Sequence, residues 1–263
     1  MRILTLNLWA RYGDWTARRV VLAERLRELA PDVVAFQESV RTGGYDQVAD
    51  LLGDDYTVVH QEDPDADGRG SAIASRLPIG QVRQFRMPAT QRVDLAEFAA
   101  WVGMVEVLGP SPIWFVNHKP SYRLAHEHER ELQAVFAARL IERTVADRDL
   151  PVVVAGDFDA TPDAASMRFW RGLQSLCGTS VRYRDVWEWL HPGEPGHTYS
   201  AVNPLVVGDG GRRLDYLLVR ETDAGPGLLP SDCRLVFDVP RGRVWASDHF
   251  GVTADLRSQE LVE

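Results

Sequence analysis

Short apolar runs in this chain stop, again and again, on an amide or a carboxylate. Ile3-Leu4-Thr5-Leu6 runs into Asn7, Val33-Val34-Ala35-Phe36-Gln37 into Glu38, and Trp114-Phe115-Val116 into Asn117-His118. Val152-Val153-Val154-Ala155 runs into Gly156-Asp157-Phe158-Asp159. Runs this short and this apolar read as buried strands, and a buried strand accepts an unpaired acid only at a large desolvation cost. The fold must therefore bring these polar ends together around a partner charge. Two later segments belong with them: Asp215, inside the strand signal Arg213-Leu214-Asp215-Tyr216, and the triplet Ser247-Asp248-His249. Carboxylate and amide oxygens beside histidines form the donor set that hard divalent cations such as Mg²⁺ take.

Strand and helix signals alternate from end to end. Helices are predicted from about Thr16 to Leu29, with Val20, Val21, Leu26 and Leu29 inward, at Gln47 to Leu52 before Gly53, and over 123–146, where Leu132, Val135, Phe136, Leu140 and Ile141 recur at helical steps. Thr161-Pro162-Asp163 reads as another helix opening. Segments 71–75, 79–85, 101–108 and 113–117 read as an antiparallel run. Strands are also expected at 56–60, 214–219, 234–237 and 250–256, with a loop over 62–70. The mixture suits an α/β (α+β) fold of two sheets packed face to face with helices outside. One domain over residues 1–257, followed by a flexible tail at 258–263, is the economical division.

Bulk properties exclude some functions. A formal charge of −9, from 29 basic and 38 acidic residues, gives no overall attraction to a polyanion. That disfavours a dedicated nucleic-acid binder, although acids gathered around a cation would cancel locally and leave a nuclease open. No stretch approaches the roughly 18 apolar residues of a membrane span. Met1 and Arg2 lead into a strand without the pattern of a signal peptide, so a cytoplasmic protein is expected. Cys177 and Cys233 are too few for a disulfide framework and read as small buried or half-buried residues.

Each polar segment also has a structural reading. Glu38 either takes a metal or serves as a cap or arginine partner. Asp157 and Asp159 sit at alternate positions, so both face one way while Phe158 faces the core. Like charges this close need a cation or a proton between them. Asp215 needs a histidine or arginine partner: His249, which it would orient, or Arg212 or Arg213. His118 ends a strand as a satisfied residue or as a catalyst. His126 and His128 read as a solvated helix end.

In this order the segments resemble the endonuclease/exonuclease/phosphatase (DNase I-like) superfamily, and the likeness spans Asn7 to His249. The resemblance implies a four-layer α/β/β/α sandwich, a site at one edge of the sheets, and Mg²⁺ or Mn²⁺ as cofactor. By position it makes Glu38 the principal metal ligand, assisted by Asn7 and Asp248. Asp157 would orient or deprotonate the attacking water, Asp159 would help position it or touch a metal, and His249, paired with Asp215, and His118 would bind phosphoryl oxygens and assist proton transfer. Ser75-Arg76-Leu77-Pro78 resembles the family's Ser-Arg-x-Pro strand end, so Arg76 joins Asn117 and Lys119 as expected substrate contacts. One departure stands out: Gly-Asp-Phe-Asp replaces the usual Gly-Asp-Phe-Asn. An unprotonated aspartate cannot donate to a phosphate oxygen, which suggests a firmer preference for a second metal.

The substrate expected is a small phosphomonoester or phosphodiester. A nuclease is the alternative; a sphingomyelinase-like phosphodiesterase is suggested loosely by Asn7-Leu8-Trp9 and Gly196-His197-Thr198-Tyr199. Arg69, Arg83, Arg86, Arg92, Arg123, Trp9 and Tyr199 either surround a small anionic substrate or are ordinary surface side chains. A catalytically silent phosphate-binding module is disfavoured by the full set of acids and imidazoles. Oligomeric state is left open.

Overall fold

The computed structural model describes residues 1–93 and 100–258. β1 (Arg2–Asn7) leads to α1 (Trp15–Leu29), which starts where Asp14 accepts a hydrogen bond from the Ala17 amide. Val21, Leu26 and Leu29 are buried as expected, but Val20 is 49% exposed. It lies two residues from buried Leu22, and so roughly 200° round the helix. The inward place one turn earlier belongs to Arg18, a position the sequence reading missed. β2 (Val33–Thr42), β3 (Tyr45–Asp46), α2 (Gln47–Leu52), β4 (Thr57–His60) and β5 (Arg69–Ser75) complete the first half.

The second half begins with β6 (Ile79–Arg86), β7 (Trp101–Val107), β8 (Ile113–Lys119), α3 (Glu127–Asp147) and β9 (Val152–Asp157). It continues through α4 (Ala165–Trp170), β10 (Tyr183–Asp185), α5 (Val186–Leu190), β11 (Asp215–Thr222), β12 (Gly225–Pro226), β13 (Leu228–Val236) and β14 (Gly251–Ser258). α4 begins later than the Thr161-Pro162-Asp163 signal. The Thr161 hydroxyl donates to Asp163 instead of capping, and Ala164 N–H closes a turn onto Thr161. β14 ends at Ser258, the first residue of the expected tail; residues 259–263 lie outside the described residues. Cys177 is exposed, contrary to expectation, while Cys233 is buried. None of the described helices is long and apolar enough to cross a membrane.

Among the described residues the strands form two seven-stranded sheets. One has the order β13-β14-β1-β2-β5-β4 with β3 beside β2; the other has β10-β11-β9-β8-β7-β6 with β12 beside β11. β6, β7 and β8 are antiparallel neighbours as expected, but β5 belongs to the opposite sheet. α1 and α2 cover the outer face of the first sheet through Leu22, Leu26, Val48 and Leu51. α3 and α4 cover the second through Ala134, Ile141, Phe169 and Trp170. The four-layer α/β/β/α sandwich is thus the observed architecture.

Strand parity fixes what lies between the sheets. Ile3 on β1, Val33 and Ala35 on β2, Phe115 on β8, Val153 and Ala155 on β9, and Leu217 and Val219 on β11 build an apolar inter-sheet core. Continuing the same parity toward one end of the sandwich brings Asn7, Gln37, Asn117, Lys119, Asp157 and Asp215 onto that inner face. Hydrophobic burial therefore clamps the two sheets together, and the strand ends deliver polar groups to a single edge. Gly156 lets β8 and β9 lie this close: a Cβ there would meet the His118 carbonyl oxygen at 2.1 Å.

Candidate active site

At that edge the Asn7 side chain joins the two sheets. Its Nδ2 donates to Glu38 Oε1 at 3.2 Å and to Asp157 Oδ2 at 2.9 Å, while its Oδ1 accepts from the Trp9 amide. Glu38 does not end β2, which runs on to Thr42; it sits in an irregularity between Phe36 and Ser39 with φ of +52°. Asp159 has φ of +51°, and Trp9 φ of +54°. Left-handed backbone at non-glycine residues costs free energy and persists where the surroundings impose it. Here it turns two carboxylates toward a common recess.

Lys119 lies at the centre. The side chain is buried, and its Nζ is 2.5 Å from both Asp157 Oδ2 and Asp159 Oδ2 and 3.9 Å from Glu38 Oε1. Burial works against charge on Asp157, but the Lys119 ammonium and the His249 imidazolium outweigh it and hold this carboxyl down at about 2. Burial and then the Asp157 charge push Asp159 up to about 7. On the other side, His249 Nδ1 and Asp215 Oδ2 are 2.8 Å apart. Burial opposes the charged ring, but Asp215 and Asp157 raise its pKa well above the ordinary value. Arg213 is not the partner of Asp215; it pairs with buried Asp185 at 2.5 Å.

The segment bearing Asp248 and His249 is tied to the N-terminal strands by groups that sequence reasoning missed. The Ser247 hydroxyl donates to the Asn7 carbonyl at 2.7 Å, and buried Arg18 donates to the carbonyls of Ala246, Tyr12 and Leu8. Thr198 Oγ1 accepts from the amides of Leu214 and Asp215. Arg18 had a signal: it precedes Val21 and Leu22 by three and four residues, and so shares their face. Burial pushes Asp248 up to about 6, with Glu38 and Asp157 adding to the rise against the pull of His249.

Three expected contacts are placed elsewhere. His118 faces the helical layer, since parity on β8 sends Trp114, Val116 and His118 outward. Its ring lies 4.8 Å from that of Phe158 and 5.6 Å from that of Trp170, and its Nδ1 has no hydrogen-bond partner. Burial, with Lys119 adjacent, lowers its pKa to about 3, which favours the neutral ring. Asn117 is consumed between the sheets: Nδ2 donates to the carbonyls of Phe36 and Ala72, and Oδ1 accepts from Gln37 Nε2. Arg76 is exposed, and its amide bonds the Asp32 carbonyl at the other end of β2. That is roughly 16 Å along the strand from Gln37. Of the two helix-end histidines, His128 is exposed and His126 is buried.

Residues 4–249 match the model of the Endonuclease/Exonuclease/phosphatase family. The chain belongs to this family. Its members are metal-dependent phosphodiesterases and nucleases. Among solved structures, the chain is similar to the catalytic domain of human Nocturnin with bound sulfate, at a TM-score of 0.75 and 15% identity, covering 98% of this chain and 94% of that one. It is similar to truncated TDP2 from Caenorhabditis elegans, at a TM-score of 0.75 and 16% identity over 98% and 97% of the two chains. It is also similar to D. rerio TDP2 complexed with a single-strand DNA product, at a TM-score of 0.74 and 20% identity over 98% and 99%. No curated protein matches the chain in sequence. At these identities the likeness establishes the DNase I-like fold.

The donor set suits the family's divalent ion. Five carboxylates, those of Glu38, Asp157, Asp159, Asp215 and Asp248, face the Lys119 ammonium and the His249 imidazolium, which leaves negative charge in excess. Buried Asp215 Oδ1 has no hydrogen-bond partner. Two groupings compete for an ion. Asp157, Asp215 and His249 each bring a ligand atom within 4.8 Å of the others, but His249 Nδ1 and Asp215 Oδ2 are already paired with each other. Glu38 and Asp248 are half-buried carboxylates, and hard cations take oxygen; buried Asn7 turns Nδ2 toward Glu38 and holds Oδ1 on the Trp9 amide, so its amide must turn over to offer oxygen to the same ion.

Proposed function

We propose that this chain is a divalent-metal-dependent phosphoesterase that hydrolyses a small phosphate ester, with Mg²⁺ or Mn²⁺ held by Glu38 and Asp248, and by Asn7 once its amide turns Oδ1 toward them. The observation that carries this reading is the Asn7 side chain, which bonds Glu38 and Asp157 at once and so joins an oxygen-rich ligand group to a hydrolytic one. When bound, the cation supplies charge neutralisation and Lewis-acid polarisation at phosphorus. Asp157 accepts a hydrogen bond from the attacking water and orients it in line with the leaving group; its low pKa makes it an orienting anion more than a proton sink. Asp159, paired with the same Lys119 Nζ and with its pKa raised to about 7, accepts the proton that the water loses. His249, with Nδ1 fixed by Asp215, presents its Nε2–H to a non-bridging oxygen and stabilises charge there as the bond to the leaving group breaks.

A second reading, cleavage of single-stranded nucleic acid, draws support from the likeness to D. rerio TDP2 bound to a single-strand DNA product. The net charge of −9 argues against a long polyanionic footprint. A panel of a nitrophenyl monoester, its diester, sugar phosphates, nucleotides, oligonucleotides, plasmid and sphingomyelin, run with Mg²⁺, Mn²⁺ or EDTA, separates the two. Hydrolysis is expected to need metal and to be lost in Glu38→Ala and His249→Ala; activity that survives EDTA and both substitutions overturns the proposal.

A further inference from the structure

A lysine only 2% exposed is a rare thing, and Lys119 is placed there by strand register. On β8 the residue after His118 points into the inter-sheet cleft, so the imidazole that the sequence offered as a catalyst is turned away and an ammonium takes the inner position. This ammonium meets two carboxylates at 2.5 Å and a third at 3.9 Å. The left-handed turn at Asp159 brings its carboxylate there, and the Asp159 amide is fixed by Asp157 Oδ1 at 3.1 Å. A cation lying between carboxylates in a dry site meets the same electrostatic need as a metal ion. The aspartate at 159 and the lysine at 119 also balance each other: one adds a negative charge and the other a positive one.

We propose that Lys119 is a built-in cation standing where Asp157 and Asp159 would otherwise draw a second divalent ion, so that the site takes a single Mg²⁺ or Mn²⁺. Lys119 is then a positioning residue that holds both aspartates at the water. This rests on the metal-dependent reading above, and it replaces the sequence-based expectation of a second-metal preference.

The test is Mn²⁺ titration of the full chain, followed by the electron paramagnetic resonance signal of free Mn²⁺. The wild-type chain is expected to bind one ion, Lys119→Gln two, Lys119→Arg one, and Lys119→Gln combined with Asp159→Asn one. Hydrolysis of the diester is expected to fall about 100-fold in Lys119→Gln, the scale of losing one preorganised charge contact, and to recover partly in Lys119→Arg. Two ions in the wild-type chain, or one ion in a folded Lys119→Gln, overturns the inference. If Lys119→Gln does not fold, the wild-type and Lys119→Arg counts decide: one ion in each supports it, two in either refutes it. Absence of any bound ion in the wild-type chain instead removes the metal-dependent reading, a distinguishable result.

Discussion

Asn117→Ala is expected to cost stability without altering substrate affinity. The Asn117 side chain is fully buried, and it closes three hydrogen bonds across the sheets: to the Phe36 carbonyl at 2.9 Å, to the Ala72 carbonyl at 3.0 Å, and from Gln37 Nε2 at 2.9 Å. Phe36 and Ala72 flank the irregularity that carries Glu38. Truncation takes the side-chain donor from two carbonyls, whereas Gln37 Nε2 keeps the Thr5 hydroxyl at 3.2 Å. A buried polar group left without its partner costs about 1–3 kcal/mol, so the two carbonyls together set an expected loss near 3 kcal/mol. For a chain of this size that corresponds to a fall of about 6–12 °C in Tm. Urea unfolding followed by circular dichroism reads it directly as a lower midpoint at unchanged slope. A loss below about 1 kcal/mol, accompanied by a raised KM, would mean that Asn117 meets substrate and that the stapling argument is wrong.

His118 supplies a pH signature. Its folded pKa of about 3 lies below the ordinary 6.5, so between those values the unfolded chain binds the extra proton; its share of stability is complete above pH 6.5 and declines at up to about 1.4 kcal/mol per pH unit as pH falls toward 3. His118→Leu should flatten that slope between pH 7 and 5, and parallel slopes for the two proteins would refute a neutral buried ring. Asp215→Asn removes the largest influence that keeps His249 protonated. Its pH–rate profile should lose its alkaline limb at lower pH, with kcat down about 10²–10⁴-fold; an unmoved limb would show that His249 does not depend on Asp215.

Much of this architecture was legible because hydrophobic runs state their own burial. The apolar strands, the α2 boundaries before Gly53, and the gathering of Asn7, Asp157, Asp215 and His249 all follow from runs and their polar ends. What escaped notice is set by three-dimensional detail. His118 read as a strand terminus because the run before it ends at Val116, yet the strand continues to Lys119, and parity then exchanges which of the two residues enters the cleft. Counting alternation from Phe115 would have shown this. Arg76 follows a motif whose position along β5 places it at the far end of the sheet, a distance invisible without strand pairing. The left-handed backbone at Glu38 has no sequence signature, whereas Asp159 belongs to a residue type that enters that region more readily than most.

On the proposed reading, oxygen donors from both ends of the chain hold one divalent ion beside a separate His249–Asp215 pair. Anomalous diffraction from crystals grown with Mn²⁺ addresses it most directly. A single peak about 2.0–2.3 Å from oxygens of Glu38 and Asp248, with His249 Nδ1 still on Asp215, is the predicted result. A peak ligated by the His249 ring together with Asp157 and Asp215, or no peak within reach of Glu38, would contradict it.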